Sequence, residues 1–109
     1  MIKRCSATAA LVLTLSACTS MPSDNTHAWV NYACSDGQTV QATYPDTNTA
    51  VIKLEGETHT LHIAISGSGA RYIGEGWQWW TKGMHDGLLA PLATGESIAS
   101  AAGIACHAG

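Results

Sequence analysis

The chain has 109 residues, a formal net charge of −3, and 12% charged against 46% hydrophobic residues. That length holds one small domain and leaves no room for a second core. The acidic balance lacks the basic footprint of a nucleic-acid or anionic-headgroup binder.

The first residues read as an address. Lys3 and Arg4 form a positive start, Ala7 to Leu15 an apolar run too short to cross a bilayer, and small residues follow at Ser16 and Ala17. Leu15-Ser16-Ala17-Cys18 resembles a bacterial lipobox. This resemblance implies a lipoprotein signal peptide over residues 1–17 and lipid on Cys18, with two or more acyl chains needed for a stable anchor. Thr19 stands where inner-membrane lipoproteins often carry Asp, so the resemblance implies the outer membrane, facing the periplasm. Cleavage would leave three basic against eight acidic residues, a net charge of −5. Thr19 to His27 is polar, contains Pro22, and reads as a flexible tether, so that residues 18–27 link the lipid to a domain at 28–109. With Cys5 removed and Cys18 acylated, Cys34 and Cys106 remain, and an oxidising compartment predicts a disulfide between them. A metal site is the weaker alternative, because Cys106-His107 is adjacent rather than ligand-spaced, and His59 and His62 fall on opposite faces of a strand.

From Trp29 onward the pattern is short alternating runs punctuated by turns. Ala28 to Cys34, the Asp36-Gly37 turn and Thr39 to Tyr44 read as a hairpin. Pro45 to Asn48 make a turn before a strand at Ala50 to Leu54. Glu55-Gly56-Glu57 makes another before Thr58 to Ile65, whose Leu61, Ile63 and Ile65 share an expected core face. Further strands are predicted at Ala70 to Ile73, Trp77 to Thr81, Gly87 to Leu92 and Ile98 to Cys106, although the alanines of the last suit a helix as well. The fold class is all-β: about eight strands in a small antiparallel barrel, stapled by one disulfide, whose closure removes exposed edges.

Residues 66–83 gather three of the four tryptophans beside five of the eleven glycines. Trp77 and Trp79 alternate with Gln78 and Trp80, so both faces of one strand carry an indole and at least one is expected to be a contact residue. The glycines around Ser68-Gly69-Ala70-Arg71-Tyr72 allow a partner's surface close approach. Catalysis is disfavoured: Ser68 has Ser66 where a nucleophile elbow needs Gly, Arg71 replaces the Lys of a Ser-x-x-Lys site, and no paired carboxylates frame a cleft. No cofactor is expected.

Ser68-Gly69-Ala70-Arg71-Tyr72 matches a Ser-Gly-x-x-Tyr motif, and Trp77 to Gly83 nearly matches Tyr-x-x-x-Thr-Lys-Gly, with Trp77 in place of Tyr. With the lipobox, Tyr32-Ala33-Cys34 and the late Cys106, the whole mature chain resembles the membrane-bound inhibitors of C-type lysozyme, the MliC family. The resemblance implies an eight-stranded barrel presenting two loops to a C-type lysozyme, a protein partner, at its active-site cleft. Lys82 would meet the ionised catalytic carboxylate and Ser68 would hydrogen-bond the other. Thr81 and Gly83 would shape the Lys82 loop, with Gly69, Ala70 and Arg71 beside Ser68, while Tyr72 and Trp77 would pack and rigidify the base. The rival reading is a glycan-binding envelope lipoprotein in which Trp77, Trp79 or Trp80 stacks on peptidoglycan sugars. A third is a structural lipoprotein without a ligand.

Overall fold

The computed structural model describes residues 28–109, in which eight antiparallel strands close into one barrel in chain order, β1 pairing with β8. They are β1 Val30–Cys34, β2 Thr39–Asp46, β3 Thr49–Leu54, β4 Glu57–Ala64, β5 Ala70–Gly74, β6 Trp77–Lys82, β7 Asp86–Pro91 and β8 Ile104–Ala108. The expected signal peptide, the lipidated Cys18 and the tether to residue 27 lie outside the described residues.

Alternation sends one face of each strand inward. Tyr32 and Cys34 of β1, Val40 and Ala42 of β2, Ala50, Ile52 and Leu54 of β3, Leu61, Tyr72, Trp79, Leu89, Cys106 and Ala108 form a single buried cluster. Trp79 is its largest fully buried side chain. The indole fits because Gly87 opposes the barrel wall there: a Cβ at Gly87 would lie 2.3 Å from Trp79 Cη2. Tyr32 meets Trp79 edge-on at 4.9 Å between ring centroids, the favoured arrangement for aromatic quadrupoles.

The predicted disulfide is present. Cys34 and Cys106 are direct cross-strand partners on β1 and β8, with Cα atoms 3.9 Å apart, so the bridge staples the seam where first and last strands meet. The Glu55-Gly56 and Glu75-Gly76 links take left-handed dihedrals at both residues, the two-residue hairpin geometry that matches strand twist.

Three expectations need correction. The last strand is Ile104–Ala108 and not Ile98 to Cys106. Residues 92–103 instead form a strap whose amides bond side chains: Ala93 N–H donates to Glu96 Oε1 at 2.9 Å and Ala99 N–H to Gln78 Oε1 at 3.1 Å. The second strand runs on through Pro45 to Asp46, with a register shift against β3 that carries Pro45 on an exposed position. The face shared by Leu61, Ile63 and Ile65 is core only at Leu61; Ile63 is 40% and Ile65 92% exposed. Ile65 lies past the β4–β5 pairing, which ends at Ala64, where the chain leaves the sheet.

Candidate functional site

In an antiparallel meander alternate turns share an end. The β4–β5 loop carrying Ser68 and the β6–β7 turn carrying Gly83 therefore emerge together, separated by the single β5–β6 hairpin. Its register sets Ala70 opposite Thr81, Arg71 opposite Trp80 and Tyr72 opposite Trp79. Thr81 Oγ1 donates to the Ala70 carbonyl at 3.3 Å, reinforcing the pairing at the last rung before the loops.

Contact between the loops is close. Gly69 has φ +66°, and a Cβ there would lie 2.1 Å from the Thr81 carbonyl oxygen, so any larger residue would push the Ser68 loop off β6. Ser66 Oγ donates to the Gly69 carbonyl at 3.2 Å and closes the loop on itself. Trp80 then ties the loops from the outer face: its Nε1–H donates to the Ser68 carbonyl at 2.8 Å, and Lys82 Nζ lies 4.3 Å from its ring centroid. One half-buried indole thus braces the loop bearing the hydroxyl and steers the ammonium by cation–π attraction.

Ser68 and Lys82 are exposed. The Trp80 bond uses the serine carbonyl, which leaves its hydroxyl for an external group. Lys82 faces Asp86 across the β6–β7 ladder, but that carboxylate is held by His107 Nδ1 at 2.9 Å. Among the described residues no carboxylate lies within ion-pair distance of Lys82. Among the described residues this end thus offers an ammonium without an ion-pair partner and a hydroxyl without a hydrogen-bond partner.

Beside the Lys82 turn, Val30, Tyr32, Tyr44, Thr81, Gly83 and Met84 line a recess of about 300 Å³ at the barrel mouth. Tyr44 hydroxyl accepts from Trp79 Nε1 at 3.0 Å and lies 3.1 Å from Tyr32 hydroxyl. Burial pushes the Tyr44 phenol well above its ordinary value, and Tyr72 moves the same way for the same reason. Both phenols stay neutral at any physiological pH, Tyr44 as a hydrogen-bonding group and Tyr72 as a packing group.

Of the sequence-predicted site residues, Ser68, Gly69, Ala70, Thr81, Lys82 and Gly83 gather at this end. Tyr72 sits one layer inside, in the core. The Arg71 guanidinium is buried against the outer wall and not presented at the loop surface. Trp77 is elsewhere, at the opposite end of β6, paired with Gly74 and Pro91 and 6.3 Å from the His59 ring. Sequence reasoning missed Trp80 as the brace. Alternation set it on the face opposite Trp77 and Trp79 without telling which face is outer, and only the β5–β6 register brings it under Ser68.

A family model described as membrane-bound lysozyme-inhibitor of c-type lysozyme matches residues 32–96, which contain both motif loops. A protein from Cupriavidus necator named membrane-bound lysozyme inhibitor of C-type lysozyme is 39% identical over 75 residues, covering 66% of this chain. The matched stretch spans 59% of that relative's length. Among solved structures, Pseudomonas aeruginosa MliC, in a crystal structure with hen egg white lysozyme, superposes with a TM-score of 0.53 at 24% identity. That match covers 89% of this chain and 99% of the other and shows a shared fold.

Proposed function

The chain belongs to the membrane-bound lysozyme-inhibitor family of c-type lysozyme, and from that premise we propose that it inhibits a C-type lysozyme by seating the Ser68 and Lys82 loops in the active-site cleft. One observation carries the reading: two motifs on either side of the β5–β6 turn are braced by Trp80 into a single exposed end whose ammonium and hydroxyl have no ion-pair or hydrogen-bond partner among the described residues. A glycosidase cleft holds one ionised carboxylate and one protonated carboxyl. An ammonium complements the first and an alcohol the second, and charge-assisted bonds strengthen as water leaves the cleft. Thr81 and Gly83 set the course of the Lys82 turn, Gly69 and Ala70 that of the Ser68 loop, while Tyr72 and Trp77 stiffen the hairpin from within. In this reading the protein acts as a plug and not as an enzyme.

The same reading makes it an envelope protein held by lipid on Cys18, in the outer membrane facing the periplasm, where it protects peptidoglycan. The net charge of −5 beyond residue 17 would speed encounter with a basic lysozyme. Glycan stacking fits the geometry less well, since Trp79 is fully buried and the Trp80 ring already carries Lys82.

The test is titration of residues 19–109 against C-type and goose-type lysozymes while cell-wall clearing is followed. Clearing by the C-type enzyme is expected to stop, and Lys82→Ala or Ser68→Ala to weaken inhibition by about 2–3 kcal/mol without lowering the melting temperature. Unchanged lysis at large excess, or a Lys82→Ala variant equal to the parent, would reject the mechanism.

A further inference from the structure

Arg71 stands on the outer face of β5 yet is only 5% exposed. Its Nε–H and one terminal nitrogen both donate to the Ile65 carbonyl, at 3.0 and 2.7 Å, at the root of the Ser68 loop. Its other terminal nitrogen donates to Gln78 Oε1 at 3.1 Å and to the Ser97 carbonyl at 2.7 Å. Gln78 Oε1 also accepts Ala99 N–H from the strap. Among the described residues no carboxylate pairs with this guanidinium, so a buried cation is satisfied wholly by neutral oxygens from three separate segments. Burying a cation without a counter-charge is expensive, and only a planar fork can bridge three such acceptors at once.

The three segments are the base of the Ser68 loop, the middle of β6 and the 92–103 strap. Arg71 is also the register partner of Trp80, its guanidinium carbon 6.0 Å from that ring centroid. The Ser68 loop is therefore held at its root by Arg71 and near its tip by Trp80, and these two holders are neighbours on one face.

We propose that Arg71 is a positioning residue: by clamping Ile65 to the strap it fixes the pose of the Ser68 loop beside Lys82, so that the strap serves as a buttress for the binding end. An ordered loop avoids losing conformational freedom when a partner closes over it, and the gain appears as affinity. The consequence for lysozyme rests on the functional reading above; the effect on the loop does not.

The experiment compares the full-length chain, in detergent, with Arg71→Lys, Gln78→Leu and Gln78→Glu, measuring site-resolved amide exchange and lysozyme inhibition. Arg71→Lys keeps the charge but cannot bridge the three acceptors. Its amides at residues 66–69 are expected to exchange faster while those of β1 to β3 match the parent, and its inhibition to weaken roughly tenfold. Gln78→Glu, which keeps both accepted bonds and adds a counter-charge, should match the parent, whereas Gln78→Leu should follow Arg71→Lys. In a Ser68→Ala background the inhibition penalty of Arg71→Lys should shrink, which a merely structural role would not produce. Unchanged loop exchange in both Arg71→Lys and Gln78→Leu overturns the proposal. So does faster exchange spread equally over the whole barrel. Should Arg71→Lys fail to fold, Gln78→Leu decides by the same comparison. If the parent inhibits no lysozyme, the functional reading fails while the exchange data still decide the role of Arg71.

Discussion

A single missing Cβ shapes the inside of this barrel. Gly87 faces Trp79 so closely that an added methyl would lie 2.3 and 2.4 Å from two ring atoms. Gly87→Ala must tilt the indole, break its hydrogen bond to Tyr44 and crowd Tyr32. The expected cost is about 1–3 kcal/mol, the range of overpacked cores, read by denaturant unfolding together with a weakened near-ultraviolet tryptophan signal. That Ser68 and Lys82 share one exposed end was legible because each motif is contiguous in sequence and a single hairpin joins the two. Gly87, Trp80 and Arg71 were not legible in these roles, since each depends on what lies across a strand pair. Alternation tells which face a side chain takes and says nothing of its neighbour's identity.

At the scale of elements, the hairpins were readable wherever turn residues and alternation agreed, as between β1 and β2. The strap was not. Its alanines, glycines and serines offer neither helical nor strand periodicity, and its course is set by side-chain contacts: Arg71 to Ser97, Gln78 to Ala99, and a turn closed by the carboxylate of Glu96. That carboxylate accepts from Ala93 N–H and from Ser100 Oγ, and its pKa is held below the ordinary glutamate value, first by the Ser100 hydroxyl and then by the Ala93 amide. A depressed folded-state pKa means the contribution is complete above the ordinary value and is lost as pH falls through the lowered one. Acidification past that point should loosen the Ala93 to Ser100 turn ahead of the barrel, with the Arg71 and Gln78 anchors left in place. In an NMR titration the Ala93 and Ser100 resonances should move together with the Glu96 carboxyl, while those of β2 and β3 stay put. Strap resonances that do not follow Glu96 would show that the carboxylate does not hold the segment.

For the whole molecule, closure and the disulfide act on the same seam. Eight strands of five to eight residues give a small core, so the Cys34–Cys106 bridge, spanning 72 positions, is expected to contribute roughly 4 kcal/mol by constraining the unfolded chain. Reduction should lower the unfolding midpoint steeply, and Cys34→Ala/Cys106→Ala should reproduce the loss without reductant; a double variant as stable as the parent would show that β1–β8 pairing suffices alone. The barrel class was legible from strand count and spacing. Its seam was foreseen from the redox compartment and cysteine count, and the structure adds that the two cysteines are direct register partners. Under the proposed function, such a rigid frame would let two short loops hold their pose against another protein's cleft. In the proposed inhibition these loops would occupy the place of substrate. The most direct measurement is the binding of the barrel to a C-type lysozyme at increasing concentrations of a soluble peptidoglycan oligosaccharide that fills the cleft. Mutual exclusion is expected, with apparent affinity falling in proportion to saccharide occupancy; an affinity indifferent to a filled cleft would contradict the account.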